Sequence, residues 1–387
     1  MGSFADALAQ DGLQAIAEIK RRSPSAGDLR PDADPATIAA AYERAGAAAV
    51  SVLVDERFGG TWDDLRAARR TTALPLIAKG FFSTDEHLRT AREAGADAAL
   101  LILRDLEDAT CEALMRTARE LGLDTLVEAH DAEELARAVA LDAPVIGVNA
   151  RDLVTFKIDR TAQLELVARA PRDRIVVAES GVHSRAQGAA AELAGSDAVL
   201  VGSALMQAPD PAAKLAELIS RPLVKVCGLT REEDVAAAAD AGADLAGFVL
   251  APASPRAAAE VLSVPDTMLA VAVWVGDAGT SAADLDQVHA REEGKVRGRD
   301  AAVLRDGVQV ATHLDLPWEE EDADHWDRAA ATDGRVLLAG KLAADNVGAA
   351  IDRVHPWAVD ASSRLETTPG VKDHAKIRAY VEAARRS

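Results

Sequence analysis

Ile175-Val176-Val177-Ala178-Glu179-Ser180-Gly181 and, past a helical stretch, Ala198-Val199-Leu200-Val201-Gly202-Ser203-Ala204 repeat one pattern. Each is a short apolar run, rich in valine, that ends in small or polar residues. Such runs read as buried strands, and the stretch between them is long enough for a helix and its turns. Worked outward toward the N-terminus, the pattern recurs at residues 15–20, 49–54, 76–79, 98–103, 124–128 and 145–149. Gly46, Gly95, Gly122 and Gly195 each stand just ahead of a strand, where a helix C-terminus takes a left-handed residue. Eight such units predict an α/β fold, a (β/α)8 barrel of the TIM type over residues 1–221. An open doubly wound sheet is the alternative.

The pattern restarts after Pro222. Residues 223–227, 245–250, 269–275, 301–304, 336–339 and 358–360 read as strands, and 308–316 as a further one. Six or seven units in residues 222–387 fall short of the about 200 residues of a full barrel. The expectation is therefore two tandem barrels, the second short or incomplete. One unit looks compressed between Asp306 and Trp326, where Glu319-Glu320-Glu321-Asp322 makes the chain acidic.

The bulk numbers agree with two domains. A chain of 387 residues exceeds the size at which one hydrophobic core stops growing. Its 49% apolar and 27% charged residues are ordinary for a packed domain. Aromatics make up only 3%, so the cores must be aliphatic. No apolar run has the length of a membrane span, and the N-terminal Met1-Gly2-Ser3-Phe4-Ala5-Asp6 lacks the basic start of a secretory signal. Cys111 and Cys227 make no disulfide framework, which fits a reducing, cytoplasmic setting. The net charge of −20 repels nucleic acid and acidic membranes. An anionic ligand then needs a local site of backbone N–H groups and a few cations.

Strand ends carry the chemistry. Residues two apart share a face of a strand, so Glu18 and Lys20 point one way while Ala17 and Ile19 point toward the helices. A structural ion pair explains that one strand equally well. Lys79, Glu128, Asn149 and Glu179 also end apolar runs, which brings six polar groups to the C-terminal mouth where barrel enzymes keep their active sites. Ser180-Gly181 and Gly202-Ser203, after strands seven and eight, allow backbone N–H groups to approach an anion at helix starts.

These segments closely resemble the indole-3-glycerol-phosphate synthase family. The resemblance rests on Ile16-Ala17-Glu18-Ile19-Lys20-Arg21-Arg22-Ser23-Pro24-Ser25, Ser51-Val52-Leu53-Val54-Asp55-Glu56-Arg57-Phe58 and Leu126-Val127-Glu128-Ala129-His130. Gly147-Val148-Asn149-Ala150-Arg151-Asp152-Leu153 and Ala178-Glu179-Ser180-Gly181 complete it. It implies conversion of 1-(o-carboxyphenylamino)-1-deoxyribulose 5-phosphate to indole glycerol phosphate, with loss of carbon dioxide and water and with no cofactor or metal. By resemblance Lys79 is the general acid on the ketose oxygen and Glu128 takes the proton in the later dehydration. Lys20 is a second acid and partner of the anthranilate carboxylate, and Glu18, Asn149 and Glu179 orient these groups. Ser23, Arg151, Ser180, Gly181, Gly202 and Ser203 are the phosphate and substrate residues. A lysine acting near neutral pH is expected to have a lowered pKa, from burial and from Lys20. Two departures stand out: Gly80 replaces the family's Asp after the lysine, and few residues precede the first strand.

Val224-Lys225-Val226-Cys227-Gly228-Leu229-Thr230, Ser254-Pro255-Arg256 and residues 359–373 resemble phosphoribosylanthranilate isomerase, the usual fusion partner. The resemblance implies Cys227 as base, Asp360 as acid, Arg256 as substrate anchor and Ser363 as a further binding residue. A buried structural cysteine is the competing reading of Cys227. The family's Gln-Leu-His-Gly after strand four reads Leu304-Arg305-Asp306-Gly307, its Gly-rich loop after strand six is replaced by acidic residues 318–324, and its Gly-Gly turn reads Gly340-Lys341. Three outcomes follow: a working isomerase, a weakened one, or a non-catalytic domain. The expected partners are phosphorylated small molecules acting on a monomer.

Overall fold

The computed structural model describes residues 3–23, 26–152, 157–292 and 297–386. Pro24, Ser25 and Leu153 of the quoted motifs lie outside them. The chain divides into two compact units, residues 1–184 with 188–219, and residues 185–187 with 220–387.

The first unit is a closed barrel of eight parallel strands. In chain order these are β1 Gln14–Ile19, β2 Ala49–Leu53, β3 Leu76–Lys79, β4 Ala98–Ile102, β5 Asp124–Ala129, β6 Val145–Asn149, β7 Ile175–Glu179 and β8 Ala198–Val201. A short helix α1 (Ser3–Leu8) precedes them. After successive strands come α2 Pro35–Arg44, α3 Trp62–Arg69, α4 Asp85–Ala94, α5 Asp108–Glu120, α6 Ala132–Ala140, α7 Arg160–Arg169 and α8 Arg185–Ala194, with α9 Ser203–Gln207 and α10 Pro211–Ile219 after β8. Strand alternation sorts the apolar residues into two layers. Ile16, Ile77, Leu100, Leu126, Val145, Val177 and Leu200 pack inside the barrel, while Ala15, Ala17, Ile19, Val50 and Val52 pack toward the helices. Phe4 and Leu8 of α1 join the inner cluster, both fully buried. The barrel floor is thus closed by a helix of 6 residues. The helix starts follow from local sequence: Asp34, Thr84, Asp131 and Asp159 each accept a backbone N–H at an N-cap.

The second unit is also a closed barrel of eight strands, which corrects the expectation of a missing strand. It contains β9 Leu223–Cys227, β10 Leu245–Val249, β11 Leu269–Val275, β12 Leu285–His289, β13 Ala301–Arg305, β14 Val308–Leu314, β15 Val336–Leu338 and β16 Ala358–Ala361. What is reduced is the helical layer. Among the described residues the helices are α11 Glu232–Asp240, α12 His325–Ala330, α13 Val347–Val354 and α14 His374–Arg385, with none between β10 and α12. β13 runs antiparallel to both β12 and β14, so the wall is not purely β/α. A two-residue hairpin at Asp306-Gly307 joins β13 to β14, with φ of 51° and 78°. Those left-handed angles at an Asp-Gly pair are the chemistry of a tight hairpin, needing no crossover helix. The compression therefore lies between β11 and β14, not between residues 306 and 326.

No helix among the described residues is long and apolar enough to cross a membrane.

Candidate active sites

At the C-terminal mouth of the first barrel, strand ends bring the predicted polar residues together. Lys79 Nζ, at the end of β3, lies 2.5 Å from Glu179 Oε2, 3.7 Å from Glu18 Oε2 and 3.9 Å from Glu128 Oε2. Lys20 Nζ pairs with Glu18 Oε1 at 2.8 Å. Glu18, Glu128 and Glu179 are all buried, at 3%, 2% and 0% exposure. Three buried carboxylates beside two half-buried ammonium groups demand mutual pairing. The cleft above them, ≈ 860 Å³ including its open mouth, is lined by Glu18, Lys20, Lys79, Glu128, Asn149 and Arg151, and by Ser180, Gly181, Gly202 and Ser203. Leu53, Phe58, Phe81, Leu100 and Ile102 supply its apolar wall. Two expected residues are not part of the lining itself. Ser23 is buried in a two-residue ladder with Gly27 and does not line the cleft, and Glu179 sits beneath the lining, reaching Lys79 from below.

Electrostatics corrects one expectation. Burial alone lowers the pKa of Lys79, but Glu179, Glu18 and Glu128 outweigh it and push the pKa above the usual lysine range. Lys79 is a firmly protonated ammonium, in the state a proton donor needs. Burial and the charge of Glu128 raise Glu179 to about 8, despite Lys79. Burial also opposes ionisation of Glu128, yet His130 and Lys79 pull it down to about 2. Like charges in one dry site cannot both ionise freely, so one of the two glutamates holds a proton near neutral pH.

Glycines make the room. A Cβ at Gly202 would stand 2.2 Å from Glu18 Oε1, and one at Gly147 2.1 Å from Glu179 Oε1. Gly147 was quoted within a motif but not read as a site residue; only packing shows that it houses Glu179. Gly80 is explained likewise. A Cβ there would meet Phe82 Cε1 at 2.8 Å, and Phe82 stacks on Trp62 with centroids 5.8 Å apart. Ser180 and Gly181 have φ of 70° and 77°, a sharp left-handed turn at the end of β7. His183, missed from the sequence, also lines the cleft. Burial and its neighbours Arg160, Lys214 and Arg151 lower its pKa.

In the second unit, Cys227 ends β9 and is 7% exposed. Burial raises its thiol pKa above normal, against the pull of Lys225. Asp360 on β16 accepts from Lys225 Nζ at 2.9 Å and meets His313 Nε2 at 3.1 Å. Burial favours the acid form, but Lys225 and His313 win and lower Asp360 to about 2. As an anion it lacks the proton that the acid role requires. Lys225 also donates to Gln287 Oε1 at 2.6 Å, and Gln287 meets His289 at 2.8 Å. Gln287 and His289 lie on β12, the strand absent from the sequence reading. In the fourth strand Gln287-Val288-His289 stands nearer the family's Gln-Leu-His than residues 304–307, which form the hairpin. Arg256 is engaged by Glu366, which accepts from its Nε and Nη2 at 2.8–3.0 Å, while its side chain stays 25% exposed. Ser363 is exposed, and its neighbour Ser362 is the one beside Lys372, at 3.4 Å. Within the acidic segment Asp322 is held by two arginines, whereas Glu319, Glu321 and Asp324 are exposed. Arg299 pairs with Asp322 at 2.5 Å, Arg328 with the same carboxylate at 3.2 Å, and Lys341 donates to the Glu320 carbonyl at 2.6 Å.

Comparison with known proteins places both units. The sequence pattern of indole-3-glycerol phosphate synthase matches residues 1–218, and that of N-(5'phosphoribosyl)anthranilate isomerase matches residues 301–383. The indole-3-glycerol phosphate synthase of Opitutus terrae is 47% identical over 227 residues, covering 57% of this chain and 85% of that protein. Indole-3-glycerol phosphate synthase 2 of Streptomyces coelicolor is 46% identical over 217 residues, covering 56% and 84%. Among solved structures, phosphoribosyl anthranilate isomerase from Thermus thermophilus aligns at 26% identity with a TM-score of 0.36, over 42% of this chain and 98% of that one. The chain belongs to the indole-3-glycerol phosphate synthase family, with a phosphoribosylanthranilate isomerase domain fused behind it.

Proposed function

We propose that residues 1–221 carry out the decarboxylating ring closure of 1-(o-carboxyphenylamino)-1-deoxyribulose 5-phosphate, in the cytoplasm and as a monomer. The observation that carries this reading is Lys79, held within 4 Å of three buried carboxylates under a half-apolar cleft. Substrate phosphate meets the turns of Ser180-Gly181 and Gly202-Ser203, and Arg151 adds charge. The anthranilate ring lies on the apolar wall with its carboxylate toward Lys20. The ring carbon bearing the carboxylate bonds to the ketose carbon while Lys79 gives its proton to the ketose oxygen. Carbon dioxide leaves with the return of electrons to the ring. The new hydroxyl then departs as water, with Lys20 as acid, and Glu128 takes the proton that restores the indole. Asn149, Glu18 and Glu179 hold the two lysines in place.

Lys79→Ala is expected to lower turnover by about 10²-fold or more, the scale of a lost positioned acid. A folded variant with most of the wild-type rate would remove Lys79 from the role.

For residues 222–387 we propose the Amadori rearrangement of phosphoribosylanthranilate, with Cys227 as base and Asp360 as acid, at low efficiency. The acid must first gain a proton, and the anchor Arg256 must leave Glu366. Both steps tax catalysis. A non-catalytic role for this unit is the alternative that the same two observations favour.

A further inference from the structure

The dehydration needs one ionised glutamate; of the three buried around Lys79, Glu18 is paired with Lys20, which leaves Glu128 and Glu179 as candidates. Geometry to Lys79 favours the wrong one. Glu179 is 2.5 Å from the ammonium and Glu128 is 3.9 Å away, so Lys79 alone would keep Glu179 ionised and leave the proton on Glu128. Something else must reverse that order.

His130, one residue past β5, is placed to do so. Its side chain is 2% exposed and lies between two carboxylates. Nε2 is 3.2 Å from Glu128 Oε1, and Nδ1 is 3.0 Å from Glu134 Oε2. Nδ1 is hydrogen-bonded to Glu134, while Nε2 faces Glu128 at ion-pair distance without hydrogen-bond geometry, so a ring set between two carboxylates is served best as the cation. Glu134 is itself fixed in the first turn of α6. It accepts the His130 backbone N–H at 2.8 Å and Arg104 Nε at 3.3 Å, while its own N–H binds the Asp131 cap at 2.9 Å. The charged groups facing this pair are Lys79 from β3, Glu18 from β1, Glu179 from β7, Glu134 from α6 and Arg104 after β4.

We propose that His130 is a positioning residue that decides which glutamate is the base: its imidazolium, braced by Glu134, keeps Glu128 ionised and leaves the proton on Glu179. The same imidazolium pins the Glu128 carboxylate toward the Lys79 side of the mouth. This inference rests on Glu128 being the base of the dehydration. It agrees with the direction of the shifts, down for Glu128 and up to about 9 for His130, where burial is outweighed by Glu128 and Glu134.

The test is the pH dependence of turnover in the full chain, for wild type, His130→Asn and Glu128→Gln. With the cation gone, the proton that Glu179 holds up to about pH 8 passes to Glu128, and the acidic limb of kcat/KM should move up into that region. At pH 7 His130→Asn should lose about tenfold, and above pH 9 it should approach wild type, since a carboxylate forms again there. A merely structural defect would lower the profile without moving it, and that result would overturn the proposal. Glu128→Gln should be inactive at every pH; if it is active, the base assignment itself fails, whatever His130→Asn does. If His130→Asn does not fold, the ring nitrogens of 15N-histidine-labelled wild type decide. A His130 imidazolium persisting at pH 8 supports the proposal, and a neutral ring at that pH refutes it.

Discussion

Gly202→Ala should cripple the synthase reaction through a single methyl group. At Gly202 φ is −125°, outside the left-handed region, and the case against a side chain rests on space. The added Cβ stands 2.2 Å from Glu18 Oε1 and 3.0 Å from both Glu18 Cδ and Lys20 Nζ. An ordinary carbon–oxygen approach is about 3.3 Å, so the carboxylate must retreat by roughly 1 Å. Glu18 is buried and holds Lys20 at 2.8 Å and Lys79 at 3.7 Å, so both lysines lose their alignment. A misplacement of about 1 Å in a catalytic group costs on the order of 10²-fold. Steady-state formation of the indole product, measured over a range of substrate concentrations, separates the two effects. Loss of phosphate binding alone raises KM; displaced lysines lower kcat as well. A thermal melt close to wild type shows that the barrel is intact. A folded variant whose kcat stays within about threefold of wild type would refute the steric argument.

Residues 1–221 produced alone should fold and retain synthase turnover, because eight complete units close that barrel; an insoluble or inactive fragment refutes this. For the isomerase unit, kcat/KM with phosphoribosylanthranilate should fall well below about 10⁵ M⁻¹s⁻¹ and vanish in Cys227→Ala; a value at that level would show a competent site. The carboxyl of Asp360 is held at about 2 against an ordinary 3.8, so its contribution is complete above pH 4 and disappears as pH falls toward 2. That amounts to roughly 2 kcal/mol, read as a steeper acid-unfolding limb in wild type than in Asp360→Asn; equal limbs would deny the linkage.

The first barrel was legible because each unit repeats a buried strand, a polar strand end and a glycine before the next strand. Glu18, Lys79, Glu128, Asn149 and Glu179 fall at one mouth for that reason, since parallel strands in register align their ends. Distances between them, and the protonation they impose, are tertiary quantities. The expected lowering of the Lys79 pKa failed because sequence spacing does not show three carboxylates closing around it. β12 went unread because Leu285-Asp286-Gln287-Val288-His289 alternates polar and apolar residues over a span with no helix after it. Its Gln287 and His289 are nevertheless 1% exposed, fed into a polar interior that hydropathy reads as surface. The roles of Gly80 and Gly147 are steric and appear only with their neighbours in place.

Where the second barrel trades crossover helices for a hairpin, its wall becomes a single ply. Along β12 and β13 burial alternates with exposure, and Val308 at the start of β14 is 63% exposed, as in a sheet that meets water on one side. Backbone amides there are shielded from one direction only, whereas β9, β10 and β16 lie beneath α11, α13 and α14. Local opening of this arc exposes less apolar surface, so its amides should exchange with solvent sooner than those of the helix-covered strands. The arc also carries Gln287, His289 and His313 of the polar interior. The part of the unit that loosens first is the part that holds Gln287, His289 and His313.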